Sequence, residues 1–165
     1  MTTAGDIPMS DASIRGILTS SRTFACVGMS ADPVRPSHYV GLYLHRRGYR
    51  VVSVNPSLAG RTLFDEPACA SLTEVQGPVD VLDVFRRSEA VPEIVEEALR
   101  TLQGLRCVWL QIGVRSAEAR VMCREAGVGF VEDRCPKIEH QRLFGELRKG
   151  GLVTGIVSSR RPPLP

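Results

Sequence analysis

The stretch Val27-Gly28-Met29-Ser30-Ala31-Asp32-Pro33-Val34-Arg35-Pro36-Ser37 follows the apolar run Phe24-Ala25-Cys26-Val27 and precedes a helical pattern opened by Pro36. An apolar run without polar alternation is the pattern of a strand covered on both faces, and proline suits a first helical turn because its missing N–H is not needed there. Between them lies a loop of small residues carrying Arg35 and Ser37. Strand, small-residue loop and helix N-terminus together make an anion cradle, since free backbone N–H groups and the positive end of the helix dipole meet at the loop. The stretch predicts an α/β fold and a phosphorylated ligand.

The same alternation continues on either side. Ser10 or Asp11 can cap a short helix whose apolar positions Ile14, Ile17 and Leu18 share a face. Strands are predicted over 23–29, 50–54, 79–85, 106–110 and 128–131. Helices are predicted from Pro36 to near Gly48, from Ser88 to Leu102 on the stripe Val91, Ile94, Val95, Ala98, Leu99 and Leu102, from a Ser116 cap to Ala126, and over 137–149. Residues 71–75 read as one short helical turn. Strands alternating with helices imply a Rossmann-like, doubly wound parallel sheet of about five strands with helices on both faces. Residues 1–12 read as a flexible leader, 13–149 as the domain, and 150–165 as a tail whose weakly strand-like pattern does not choose between an edge strand, a partner-binding arm and a disordered segment.

Composition narrows the class. The 165 residues are 43% hydrophobic and 24% charged, enough for one core, and the net charge is only +3. No block of like charge appears, so nucleic acid is not an expected partner. Five scattered cysteines (Cys26, Cys69, Cys107, Cys123, Cys135) form no C-x-x-C pair, which argues against a disulfide framework or a metal site. With no long apolar run and no secretory pattern, the expectation is a cytoplasmic protein without a membrane partner.

In a doubly wound sheet, ligands sit at the carboxyl ends of the strands. Those ends carry Gly28, Ser30, Arg35 and Ser37; Asn55 and Pro56 with Gly60 and Arg61; Val84, Phe85, Arg86 and Arg87; Gln111 and Gly113; and Asp133, Arg134 and Cys135. Arginine forks match phosphate oxygens bidentately, so a phosphorylated nucleotide is the natural ligand. A dinucleotide fingerprint would need glycines where Ser30 and Pro33 stand and an acidic residue where the second strand ends in Asn55-Pro56. No G-K-[ST] occurs, so a P-loop is absent as well. Asp80 and Asp83, three apart on one strand, face opposite sides and read as structural. His38, just after the loop, is a candidate phosphate contact; His45 and His140 read as solvated. Arg134 beside Cys135 would lower that thiol's pKa.

The series Gly28-x-Ser30 with Pro33, Arg35 and Ser37, then Gly48-Tyr49-x-Val51, Val54-Asn55-Pro56, Val84-Phe85-Arg86, Trp109-Leu110-Gln111-Ile112-Gly113 and Asp133-Arg134-Cys135 resembles the family of small stand-alone CoA-binding proteins. Those proteins are similar in turn to the CoA-binding domain of the succinyl-CoA synthetase α-subunit. The resemblance spans roughly residues 13–145 and implies coenzyme A or an acyl-CoA as ligand. It implies the Gly28–Ser37 loop on the pyrophosphate, Asn55, Pro56 and Arg61 at the adenosine end, Val84, Phe85 and Arg86 beside adenine or ribose, and Gln111 and Gly113 along the pantetheine arm. Ligation in the synthetase needs a second domain with a phosphorylated histidine and a partner subunit, for which this chain is too short. The expectation is a non-catalytic or weakly catalytic binding module without metal, with no catalytic residue assigned and a protein partner or a homo-oligomer left open. The alternatives are an NAD(P)-linked oxidoreductase and an enzyme of CoA thiol–disulfide exchange centred on Cys135.

Overall fold

A computed structural model of the chain describes residues 9–145. Helix α1 (Asp11–Ser20) opens on Ser10, whose Oγ accepts from the Ser13 N–H at 3.1 Å, and turns Ile14 and Leu18 inward. Strand β1 (Thr23–Val27) is buried at every position, as its unbroken apolar pattern requires. Helix α2 (Pro36–Arg46) starts at the predicted proline, and Gly48 beyond it takes a φ of +92°. Strand β2 (Arg50–Val54) follows.

The next feature had no signal in the sequence. A small antiparallel hairpin, β3 (Thr62–Leu63) and β4 (Glu66–Pro67), turns on Phe64 and Asp65, both in the left-handed region at φ 52° and 69°. Asn-Gly or Asp-Gly would normally mark such a turn. Tertiary contacts hold this one instead. Arg50 donates to both carboxylate oxygens of Glu66 at 2.9 and 2.8 Å, and the Phe64 ring packs on Gly41 between His38 and His45. Cys69, beyond the hairpin, pairs with Val54 and shields the outer edge of β2.

Strand β5 (Val81–Val84) begins later than predicted, because Asp80 turns its carboxylate onto the N–H groups of Arg22 and Thr23 at 2.8 and 3.0 Å. Helix α3 (Val91–Thr101) buries Val91, Val95 and Ala98 from the expected stripe. Strand β6 (Cys107–Leu110), helix α4 (Ala117–Glu125) capped by Ser116, and strand β7 (Gly129–Val131) complete two further crossovers. Helix α5 (Pro136–Leu143) is shorter than predicted: Phe144 caps it and Gly145 turns to φ +75°. Residues 146–149 of the predicted helix, residues 1–8 of the leader and the tail 150–165 lie outside the described residues.

All five long strands are parallel, in the order β2-β1-β5-β6-β7. Helices α1 and α2 each contact α5 on one face, and α3 and α4 pack together on the other. This is the doubly wound Rossmann-like arrangement. Strand alternation sends Phe24, Cys26, Val81, Cys107 and Trp109 to the first face and Ala25, Val27, Leu82, Val108 and Leu110 to the second. Each large apolar side chain buried this way contributes about 1.5–3 kcal/mol. The chain leaves β1 toward β2 and later leaves β5 toward β6. The connections above those two strand ends therefore diverge, and a crevice opens between them.

Candidate functional site

The crevice exists because β1 ends in a glycine. Gly28 sits at φ +86°, and a Cβ there would stand 2.6 Å from the Phe85 carbonyl oxygen, closer than any real contact. Without that side chain the ends of β1 and β5 run side by side, with Phe85 N donating to Val27 O and Gly28 N to Val54 O. The loop beyond is built from local turns. Ser30 Oγ accepts from Asp32 N, Asp32 Oδ1 from Val34 N, and Asp32 O from Arg35 N. Ser37, nearly buried in the first turn of α2, accepts from Ser30 N at 2.9 Å and folds the loop back over the helix start. Helix α2 has neither a side-chain cap nor an acidic residue in its first turn, so its positive end is not neutralised by its own sequence.

A cleft of about 650 Å³ lies between this loop, the residues after β5 and those after β6. It brings together Gly28, Ser30, Arg35, Ser37, Phe85, Arg86, Arg87, Gln111 and Gly113 of the strand-end residues, with Ile112 between the last two, and adds Ser88 and Glu89. Arg35, Arg86 and Arg87 make no ion pair or side-chain hydrogen bond among the described residues. Three arginines therefore line one cavity without an ion-pair partner among the described residues, and Glu89 is the one acidic residue that lines it with them.

The remaining predicted residues lie elsewhere. Asn55 is spent on structure: Nδ2 donates to Met29 O at 2.8 Å, and Oδ1 accepts from Ser57 N, which knots the end of β2 to the loop after β1. Pro56 opens a single 3-10 turn, and Arg61 is exposed at the approach to β3. Val84 is wholly buried in the aliphatic core under α3. His38 donates from Nδ1 to Ser30 O and is not among the residues that line the cleft, and His140 is half-buried, bonded to Tyr43 and stacked on Phe144, not solvated.

Cys135 corrects an expectation. It is 2% exposed, outside the cleft, and burial pushes its thiol up to about 11, opposite to the lowering that Arg134 was expected to bring. The Arg134 guanidinium is turned to Glu139 at 3.4 Å instead. A buried, protonated thiol is a poor nucleophile, so exchange chemistry centred on Cys135 has no support in the structure.

One residue set aside as structural borders the site. Asp83 lies wholly buried in β5, and its Oδ1 accepts from Gln111 Nε2 at 2.7 Å. Burial pushes its carboxyl up to about 8, against the lowering effect of that hydrogen bond. Its place behind the cleft follows from strand register alone, since β5 and β6 pair Asp83 with Trp109, two residues before Gln111.

A second, larger groove of about 830 Å³ runs along the free edge of β7. Its arginines are mostly matched: Arg115 pairs with Asp133 at 2.6 Å, Arg120 with Glu132, and Arg134 with Glu139. Among the described residues no cluster of His, Cys, Asp and Glu could hold a metal ion, and no helix is long and apolar enough to cross a membrane.

Comparison with known proteins supplies a family and a fold. Residues 22–141 match the family described as CoA binding domain. The chain is 38% identical over 131 residues to YneT of Bacillus subtilis (strain 168), covering 79% of this chain and 94% of that protein. Among solved structures, a Thermus thermophilus protein designated ID.343 superposes with a TM-score of 0.78 at 45% identity, over 82% of this chain and all of that one. A Pyrococcus horikoshii OT3 protein superposes with a TM-score of 0.77 at 32% identity, over 88% and 98% of the two chains.

Proposed function

The chain belongs to the CoA binding domain family, and we propose that it binds coenzyme A or an acyl-CoA in the cleft between the ends of β1, β5 and β6. The observation that carries this reading is the set of unpaired guanidiniums, Arg35, Arg86 and Arg87, around the glycine-floored crevice at the switch point. Guanidinium forks and the uncapped start of α2 are suited to the pyrophosphate, which carries its negative charge in any acyl form of the cofactor. Phe85 and the exposed Ile112 give the same cleft apolar surface for the rest of the ligand. The three hydroxyls that line the cleft each accept a backbone N–H: Ser30 Oγ from Asp32 N, Ser37 Oγ from Ser30 N and Ser88 Oγ from Arg115 N. The role is to hold the cofactor, with ligation left to other proteins.

The test is direct. Native mass spectrometry of freshly purified protein should show an added mass equal to CoA or an acyl-CoA. Titration calorimetry should show Arg35→Ala weakening CoA by about tenfold or more, the worth of one charge-assisted hydrogen bond. An NAD mass, or unchanged affinity in a folded variant, overturns the reading.

A further inference from the structure

The first face of the sheet holds a carboxyl that the binding role described so far leaves unused. Asp83 is opposite Cys26 on β1 and Trp109 on β6 and has no exposed surface. The titratable groups that feel its charge are the thiols of Cys26 on β1, Cys107 on β6 and Cys135 at the start of α5. Its Oδ2 has no hydrogen-bond partner, which leaves the Gln111 amide on Oδ1 as its one polar contact. Gln111 reaches from this buried group to the cleft, where it forms part of the lining. Its Nε2 is spent on Asp83, while its Oε1 bonds to nothing among the described residues and is not sealed from the cleft.

An untethered glutamine amide presents its oxygen or its nitrogen to a ligand with equal ease. Here the choice matters, because three guanidiniums line the cleft and each of them only donates. Apart from Glu89, no carboxylate lines it. A ligand carrying N–H groups needs an acceptor deep in such a cleft, and a buried donor left without one would cost about 1–3 kcal/mol. We propose that Asp83 is a positioning residue that locks the Gln111 side chain with its nitrogen on the carboxyl and its oxygen toward the cleft, to accept from an amide N–H of the ligand's pantetheine arm. This rests on the CoA-binding reading and names what one side chain contributes to it.

Calorimetry with two probes, CoA and adenosine 3′,5′-bisphosphate, separates this role from a merely structural one. Asp83→Leu and Gln111→Ala should each weaken CoA about tenfold and leave the bisphosphate, which lacks the arm, within twofold. Asp83→Asn keeps an acceptor for Nε2 and should retain wild-type affinity. The double variant Asp83→Leu/Gln111→Ala should lose no more than either single one. Equal loss for both probes, additive losses, or an Asp83→Asn as weak as Asp83→Leu would overturn the proposal. The tie itself is read without ligand. The Gln111 side-chain amide signal, identified by its loss in Gln111→Ala, should shift as pH rises through about 8 and stay still in Asp83→Asn. A signal that ignores pH in both overturns the positioning even where CoA binds. A shifting signal in a protein that does not bind CoA overturns the ligand assignment while the tie stands.

Discussion

The two grooves of this molecule are both lined with arginine, and the larger is not the one suited to an anion. Along β7, Arg115, Arg120 and Arg134 are each answered by a carboxylate and only Arg124 of the lining arginines is not, so most of the charge of the groove of about 830 Å³ is balanced within it. At the β1/β5 switch point, Arg35, Arg86 and Arg87 have no such partners, and the cleft of about 650 Å³ keeps its positive charge. Size reports where a chain leaves space. Unbalanced charge reports what that space was shaped to receive, because a cluster of like charges repels itself until a counter-charge arrives.

Titration offers the strongest way to break the contrast, since the carboxyls of the two regions respond to pH in opposite directions. Asp83, behind the cleft, has a folded pKa raised to about 8 by burial. Its contribution is fully present below the unfolded value near 3.8 and is lost as pH climbs toward 8, because the unfolded chain gives up that proton first. The stability of Asp83→Asn relative to wild type should therefore grow across that window by several kcal/mol, at about 1.4 kcal/mol per pH unit. Urea denaturation at a series of pH values measures it, and parallel curves for the two proteins would mean that Asp83 is not held neutral.

The next effect concerns the cleft floor. Gly28→Ala must fit a Cβ against the Phe85 carbonyl as well as bear a positive φ, so it should cost about 2–4 kcal/mol. Gly113→Ala bears a similar φ of +82° with open space around the Cβ and should cost only about 1 kcal/mol. Equal losses in thermal unfolding would show that the close approach of the two strand ends is not what requires glycine at position 28. Binding then sharpens the arginine comparison itself. Arg86→Ala should lose about 2 kcal/mol of CoA affinity, whereas Arg120→Ala, in the balanced groove, should stay within twofold of wild type by calorimetry. A loss on both sides would move the anion site toward β7.

The smallest effect lies at the edge groove. The Gly113 N–H, and after it Arg115, hold the Asp133 carboxyl below its ordinary range. That stabilisation is present above the unfolded pKa and is lost as pH falls through the lower folded one. Asp133→Asn should flatten the acid limb of the stability curve below about pH 4, with little change at neutral pH.

The sheet and most of the cleft were legible in the chain because the relevant signals are local. Unbroken apolar runs such as Phe24 to Val27 need two covering layers, the stripe from Val91 to Ala98 needs one, and the strand-end rule then places Gly28, Arg35, Arg86 and Gln111 on one rim. The same locality explains why some of the named residues lie off the cleft. Asn55 and Cys135 follow strands just as Gly28 does, but β2 and β7 lie at the two edges of the sheet, away from the switch point. The hairpin at Phe64 and Asp65 left no local trace, because its unfavourable turn is imposed by Glu66 on Arg50 and Phe64 on Gly41.

Sequence alone determined that strands alternate with helices, that a glycine and an arginine-bearing loop follow the first strand, and that the chain resembles a CoA-binding family. Those are matters of periodicity, turn chemistry and motif order along the chain. Only the tertiary structure decided which arginines remain without counter-charges, that burial keeps Cys135 protonated, and that Asp83 stands behind Gln111. Ion pairing and desolvation depend on what lies across space within a few ångströms, and here the groups that meet lie far apart along the chain, as Asp83 and Gln111 do.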